Sequence, residues 1–384
     1  GTRMTFCVTA SLIHRHGDLI ARLGRGPHEI AAHGYHHVRM SYFDRAAQQE
    51  VIDRSFTALS EAGFQVEGFR CPYLNYNPDT LGALASSPFK WTSQHFVTGT
   101  NGALPAERVE RLLKSLYQCE TNEQLLSLPR FSKEIVELPI SAPDDEMLWE
   151  RYRIHDPQKI AQIWSELLQD AVRRGEILHL LFHPERFEFI REPLLEVLRT
   201  ARSLGEALWN PTLGELASWW SERKLHQWEI DIDPDGSGTV WAIAPPQLQV
   251  LERNGERADR EQFVRGYRVR GPDCVEDGRR GFRFGPDSRP TVGVDEGIDP
   301  RIRELLENEG FFVETAARPE RHSLHLPADF TFQSERHLLN AVESCRKPLL
   351  RLWRWPDRCK AVLCISSDVD AISIRDFWER SRHF

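Results

Sequence analysis

No apolar run in this chain is long enough to cross a bilayer. The longest, such as Ile177–Phe182, fall far short of the roughly 20 residues that a spanning helix needs, so an integral membrane protein is excluded. Positive charge is in deficit: 49 Lys and Arg stand against 57 Asp and Glu, a formal net charge of −8. Neutralising phosphates needs a basic surface, which argues against nucleic acid as the main partner. Paired cysteines are missing too. The seven (Cys7, Cys71, Cys119, Cys274, Cys345, Cys359 and Cys364) are odd in number and none stand in a CxxC spacing. That excludes a disulfide framework or a zinc–cysteine knuckle and points to reduced thiols in a cytoplasmic setting. The first residues show no charged segment followed by an apolar run, so no signal peptide is expected. Internal repeats and low-complexity tracts are also lacking.

What is present is a globular composition, 384 residues with 40% hydrophobic and 28% charged residues, enough for one large domain or two. Apolar strands at about 3–10, 66–70, 89–93, 136–139 and 177–183 alternate with helical patterns at 12–23, 46–62 and 157–174. Two more helices are expected at 192–205 and 213–224. Such alternation implies parallel strands joined by crossovers, hence an α/β sheet or barrel. The character changes near residue 225, where short strands, turns and a dense Gly/Pro/Arg stretch set off a smaller mixed α/β region at 225–330. A helix at 335–346 follows it.

Four segments carry chemistry. HEIAAHGYHH (28–37) holds four of the fifteen histidines; His33 and His37, four apart, would share one side of a helical turn and could bind one divalent metal. The plainer reading is a polar loop. AVLCISSDVDA (361–371) reads as an apolar strand ending in Asp368 and Asp370, where α/β enzymes place catalytic acids; taken alone, a strand-to-helix turn capped by Asp370 is the favoured reading. FRCPY (69–73) puts Arg70 at a strand end before a turn stiffened by Pro72. ILHLLFHPER (177–186) ends a strand at His183, a suitable place for a general acid. DIDPDGSG (231–238) imitates a calcium loop, but Ala242 stands where the bidentate glutamate belongs, so a turn between strands is expected instead.

Together these segments resemble the polysaccharide deacetylase family of carbohydrate esterases, over roughly 1–223 and 356–384. HEIAAHGYHH is similar to its His-x-x-x-His metal motif, RCPY to its arginine–proline motif, LLFHP to its terminal histidine motif, and ISSDVDA to its first motif in D-x-D form. The resemblance implies a distorted (β/α) barrel with a smaller accessory α/β region, divided as 1–224 (main part), 225–330 (accessory) and 331–384 (a linker helix and the barrel's first strand and motif). It implies a divalent metal, zinc, on Asp370, His33 and His37. Asp368 would be the base, Arg70 its charge partner, and His183 the acid. The Tyr73 backbone amide beside Pro72 would meet substrate. The expected substrate is an N-acetylated poly- or oligosaccharide.

Two features depart from the family pattern. The first motif lies at the far end of the chain, about twenty residues from Phe6 if Phe384 is joined to Gly1, as in a circular permutation; Gly1 and Phe384 should then be neighbours. A window on a tandem array would look the same. The strand FKWTSQ also lacks the aspartate that orients the family's catalytic histidine, and Asp144 or Asp145 is expected to replace it. The alternatives are an amidase of the same fold acting on a small non-sugar C–N substrate, or a non-catalytic carbohydrate-binding scaffold with a platform of Trp209, Trp219, Trp220, Trp353 and Trp355.

Overall fold

The computed structural model describes residues 2–99, 119–255, 261–287, 289–316 and 318–381; the expected proximity of Gly1 and Phe384 lies outside them. Nine strands form one curled half-barrel sheet in a mixed α/β architecture: β1 (Thr5–Val8), β2 (Glu29–Ala32), β3 (Gly68–Phe69), β4 (Trp91–Thr92), β5 (Arg130–Ser132), β6 (Ile135–Glu137), β7 (Ile177–Phe182), β8 (Leu208–Trp209) and β9 (Ala361–Val369). Their spatial order is β7-β9-β1-β2-β3-β4-β6-β5, with β8 also on β9. Pairing is parallel from β7 to β6, and only the β5–β6 hairpin is antiparallel. The last strand in sequence therefore sits between the first and β7, with Cys7 opposite Asp368.

Local chemistry explains the helices around this sheet. Arg45–Glu61 starts where the Asp44 carboxylate accepts the Ala47 N–H at 2.9 Å. Pro157–Arg174 starts at Asp156, with Pro157 in its first turn, and stops at Gly175, whose φ of +70° suits glycine. Its buried face, Ile160, Ile163, Trp164, Leu167 and Leu168, packs with β7 and β9 in one core. Leu213–Arg223 opens on a reciprocal Thr212–Glu215 capping box. No helix among the described residues is long and apolar enough to cross a membrane.

The region from 225 onward is woven into the rest. Strands Gln227–Ile232, Gly238–Ile243, Arg279–Phe284 and Cys274–Glu276 form one antiparallel sheet, and residues 233–237 make the turn of its first hairpin. A parallel three-stranded sheet is built from Arg289–Val294, Val313–Thr315 and His322–Leu326. Leu349–Pro356 pairs antiparallel with Leu248–Arg253, so the segment after 331 supplies strands to both the accessory region and the barrel. One apolar core runs through both, from Cys7 and Trp91 to Val292 and Leu338. The tryptophans expected as a platform sit mostly in that core: Trp219, Trp220, Trp353 and Trp355 are buried.

Candidate active site

Register alone brings the key residues to one level. Val8 is opposite both Ala32 and Val369, and Ala32 is opposite Phe69. The residues that follow those strand positions, His33, Asp370 and Arg70, therefore emerge together at the C-terminal edge of the sheet. His183 leaves β7 at the same edge, one strand beyond β9.

The two histidines meet by a route that differs from the helical turn expected from their spacing. Residues 33–37 form a loop after β2. Gly34 turns it at φ +72°, and a Cβ there would lie 2.8 Å from Pro72 Cγ and 2.9 Å from the His36 carbonyl oxygen. A glycine at positive φ breaks a helix and permits this close approach of two loops. His33 Nδ1 lies 3.0 Å from the Arg70 carbonyl oxygen, so Nδ1–H donates and Nε2 faces inward. His33 Nε2 is 3.3 Å from Asp370 Oδ1, and His37 Nε2 is 3.0 Å from Asp370 Oδ2. The three donor atoms lie within 4.8 Å of one another. Two inward-facing imidazoles and one carboxylate, all buried, suit a divalent cation. Burial alone would raise the Asp370 carboxyl, but His37 and His33 override it and hold it well below the usual range.

Beside this cluster Arg70 spans the interior of the curled sheet. Its Nη1 donates to Asp368 Oδ1 at 2.7 Å and to Ser366 Oγ at 2.9 Å, while Nη2 donates to Ser93 Oγ at 3.0 Å and Nε to the Ser93 carbonyl at 3.0 Å. His179 completes the layer: Nδ1 is 2.9 Å from the Pro139 carbonyl, and Nε2 is 2.8 Å from Ser366 Oγ and 3.3 Å from Arg70 Nη2. Burial and then Arg70 push the His179 imidazole down to about 3, keeping it neutral. Burial would raise the Asp368 carboxyl, yet Arg70, then His33 and His183, hold it low. Sequence reasoning missed Ser93, Ser366 and His179. The two-residue strand period carried a signal for two of them, since Ser366 shares a face with Asp368 and His179 with His183.

The choice between Asp144 and Asp145 resolves to Asp145 as the partner of His183. Asp145 Oδ2 accepts the His183 backbone N–H at 2.8 Å, and Oδ1 lies 2.8 Å from His183 Nδ1. Burial would lower the His183 imidazole, but Asp145 raises it well above its ordinary value. Asp144 instead accepts the Met147 N–H at 2.7 Å, and burial followed by Asp145 pushes its carboxyl up to about 7. Pro72 opens a short 3-10 turn in which Tyr73 and Leu74 take positive φ, +56° and +50°. The Tyr73 ring lies 4.3 Å from His37 and 4.8 Å from the Arg39 guanidinium.

Residues 1–91 match the polysaccharide deacetylase family model. The chain thus resembles a family of deacetylases, and the resemblance supports a hydrolase. No curated protein matches the chain. Among solved structures, a Mycobacterium smegmatis protein assigned to the polysaccharide deacetylases is 23% identical, with a TM-score of 0.44 over 56% of this chain and 71% of that one. The PuuE allantoinase is 17% identical, with a TM-score of 0.45 over 57% and 67%. A family 4 carbohydrate esterase from Streptomyces lividans, solved with acetate, is 16% identical, with a TM-score of 0.32 over 53% and 74%.

Proposed function

We propose that this chain is a metal-dependent hydrolase that removes N-acetyl groups from an amino-sugar polysaccharide or oligosaccharide. One arrangement carries the reading: two buried imidazoles and a carboxylate converge beside a second, arginine-paired carboxylate and an aspartate-paired histidine. His33, His37 and Asp370 would hold a divalent cation, zinc by the chemistry of the donors. Bound there, the ion would supply Lewis acidity toward the acetyl carbonyl and lower the pKa of water. Asp368, kept ionised by Arg70, would take the proton of the attacking water. The Tyr73 amide, set by the Pro72 turn, would donate to the carbonyl oxygen as charge develops on it. His183, held by Asp145 and protonated near neutral pH, would hand its proton to the departing amine.

We further propose that 1–224 and the last strand form one discontinuous catalytic unit around the accessory 225–330, in the order of a circular permutation. A cytoplasmic setting would suit seven cysteines of which none is bonded to another. A scaffold with an aromatic platform is disfavoured, because four of its five tryptophans are buried.

The test is metal content of the purified chain together with acetate release from N-acetylated oligosaccharides. His37→Ala should lose cation and activity together, whereas Asp368→Asn should keep the cation and lose turnover. Cleavage of small ureides with no acetate release from sugars would replace this reading with the amidase one. Absence of both bound cation and acetate release would leave the scaffold.

A further inference from the structure

Away from the His–Asp cluster, and sharing no lining residue with it, a cavity of about 320 Å³ opens between the Leu213–Arg223 helix and the accessory region. Its walls are aromatic: Phe131, Trp220, Trp228 and Phe312 line it, and Trp228 and Phe312 stack with centroids 5.8 Å apart and 7° between planes. A second cavity of about 470 Å³ adjoins it through Phe131, Trp220 and Asn308.

The charges along this cavity do not balance. Arg223, 2% exposed, lines it. Its Nε donates to the Trp353 carbonyl at 3.0 Å and its Nη1 to the Asn308 carbonyl. Nη2 has no acceptor among the described residues, and neither has Trp228 Nε1. Lys224 adds a second cation, its ammonium 4.1 Å from the Phe131 ring centroid. The one carboxylate in the lining, Glu307, is paired with Arg303 at 3.3 Å. Glu309, the buried carboxylate whose charge acts on Arg223, is already shared by Arg354 at 3.1 Å and Arg351 at 3.0 Å. Burial and those two arginines pull the Arg223 guanidinium down to about 9 despite Glu309. A buried cation without its own counter-charge is costly, and a ligand that brings one removes the cost.

We propose that this cavity binds a small organic anion, with its carboxylate or phosphate between Arg223 and Lys224 and its ring body against the Trp228–Phe312 wall. Donors without acceptors select an acceptor-rich group, and an aromatic-walled cavity of a few hundred Å³ selects a monomeric ring over a bare ion.

The proposal is testable on the full chain by calorimetric titration with glucuronate, glucose 6-phosphate, inorganic phosphate and glucose. One or both sugar acids should bind with a dissociation constant below about 1 mM, and which of them binds identifies the acid group. Glucose should fail, and phosphate should bind at least about tenfold more weakly, a gap of roughly 1.4 kcal/mol. Lys224→Ala and Trp228→Leu, both at partly or fully exposed positions, should each weaken binding about tenfold. They carry the test if Arg223→Met fails to fold. His37→Ala should leave binding unchanged. The proposal is overturned if neither sugar acid binds, if glucose binds as well, or if Lys224→Ala and Trp228→Leu change nothing. Loss of binding in His37→Ala would also overturn it, by moving the anion to the His–Asp cluster. Phosphate binding as tightly as the sugar acids would overturn it too, since the aromatic wall would then contribute nothing to binding.

Discussion

Replacing Arg70 by Met keeps a long side chain in the half-barrel and removes its charge. Arg70 is fully buried and Asp368 is 2% exposed, so the carboxylate would lose its 2.7 Å partner in a place water hardly reaches. Breaking a buried pair from one side costs about 3–5 kcal/mol. His33, 3.7 Å from Asp368 Oδ2, stays as a weaker partner, which places the cost near the lower end, about 3 kcal/mol. The sign of the pH dependence separates this from simple loss of packing. In the wild type the Asp368 carboxyl sits below its ordinary value, so its pairing stabilises the fold above the ordinary carboxylate pKa and that stabilisation fades as pH falls. In Arg70→Met burial dominates and the carboxyl rises, so the penalty is full near neutral pH and shrinks as acid protonates the group. Urea unfolding of the metal-free chain at about pH 8 and about pH 5 measures both ends. A stability difference below about 1 kcal/mol, or one equal at the two pH values, would refute the argument.

Three further outcomes are expected. Asp145→Ala removes the acceptor of the His183 ring and backbone N–H; on the proposed reaction kcat should fall about 100-fold with KM little changed, read by acetate release. Glu309, fully buried between Arg354 and Arg351, has its carboxyl held at about 2 against 4.5 despite burial. Its pairing should contribute about 3 kcal/mol above about pH 4.5, lost as pH falls toward 2, and Glu309→Gln should flatten that limb of stability against pH. Gly68→Ala would set a Cβ 1.9 Å from the Trp91 ring, an overpacking cost of about 3 kcal/mol visible as a lower urea midpoint.

Much of the barrel is readable in the chain because its strands are short apolar runs between helices with explicit caps. The apolar start of Ala361–Val369, with all nine residues buried, identifies a strand enclosed on both faces. The site is less readable. A spacing of four between His33 and His37 fits a helix and a tight loop equally, and only the Gly34 backbone decides. Adjacent carboxylates at 144 and 145 cannot be ranked until the loop that carries them is laid against β7. Arg70 reaches from the end of β3 to Ser366 on β9 and His179 on β7, three and four strands along the sheet, and no local pattern reports a contact at sequence separations of 296 and 109.

The accessory region hides for a different reason, and it explains why the candidate anion cavity left no trace in the sequence pattern. Leu349–Pro356 reads LLRLWRWP, an apolar strand that carries two arginines. In the structure Arg351 and Arg354 are fully buried and Leu350, Leu352, Trp353 and Trp355 are buried with them. Positions 351 and 354 differ by three, so the two arginines leave opposite sides of the strand. Glu309 accepts from both because it stands at the strand's flank, at the end of the helix Pro300–Asn308. Glu309 pairs with Arg351 and Arg354 and leaves Arg223, the third arginine, without a carboxylate within ion-pair distance among the described residues. A surplus of that kind belongs to three dimensions alone. Arg223 ends a helix at 213–223 where a terminal cation is ordinary, and only the arrival of Asn308 and Trp353 at its guanidinium converts it from a capping charge into a buried one.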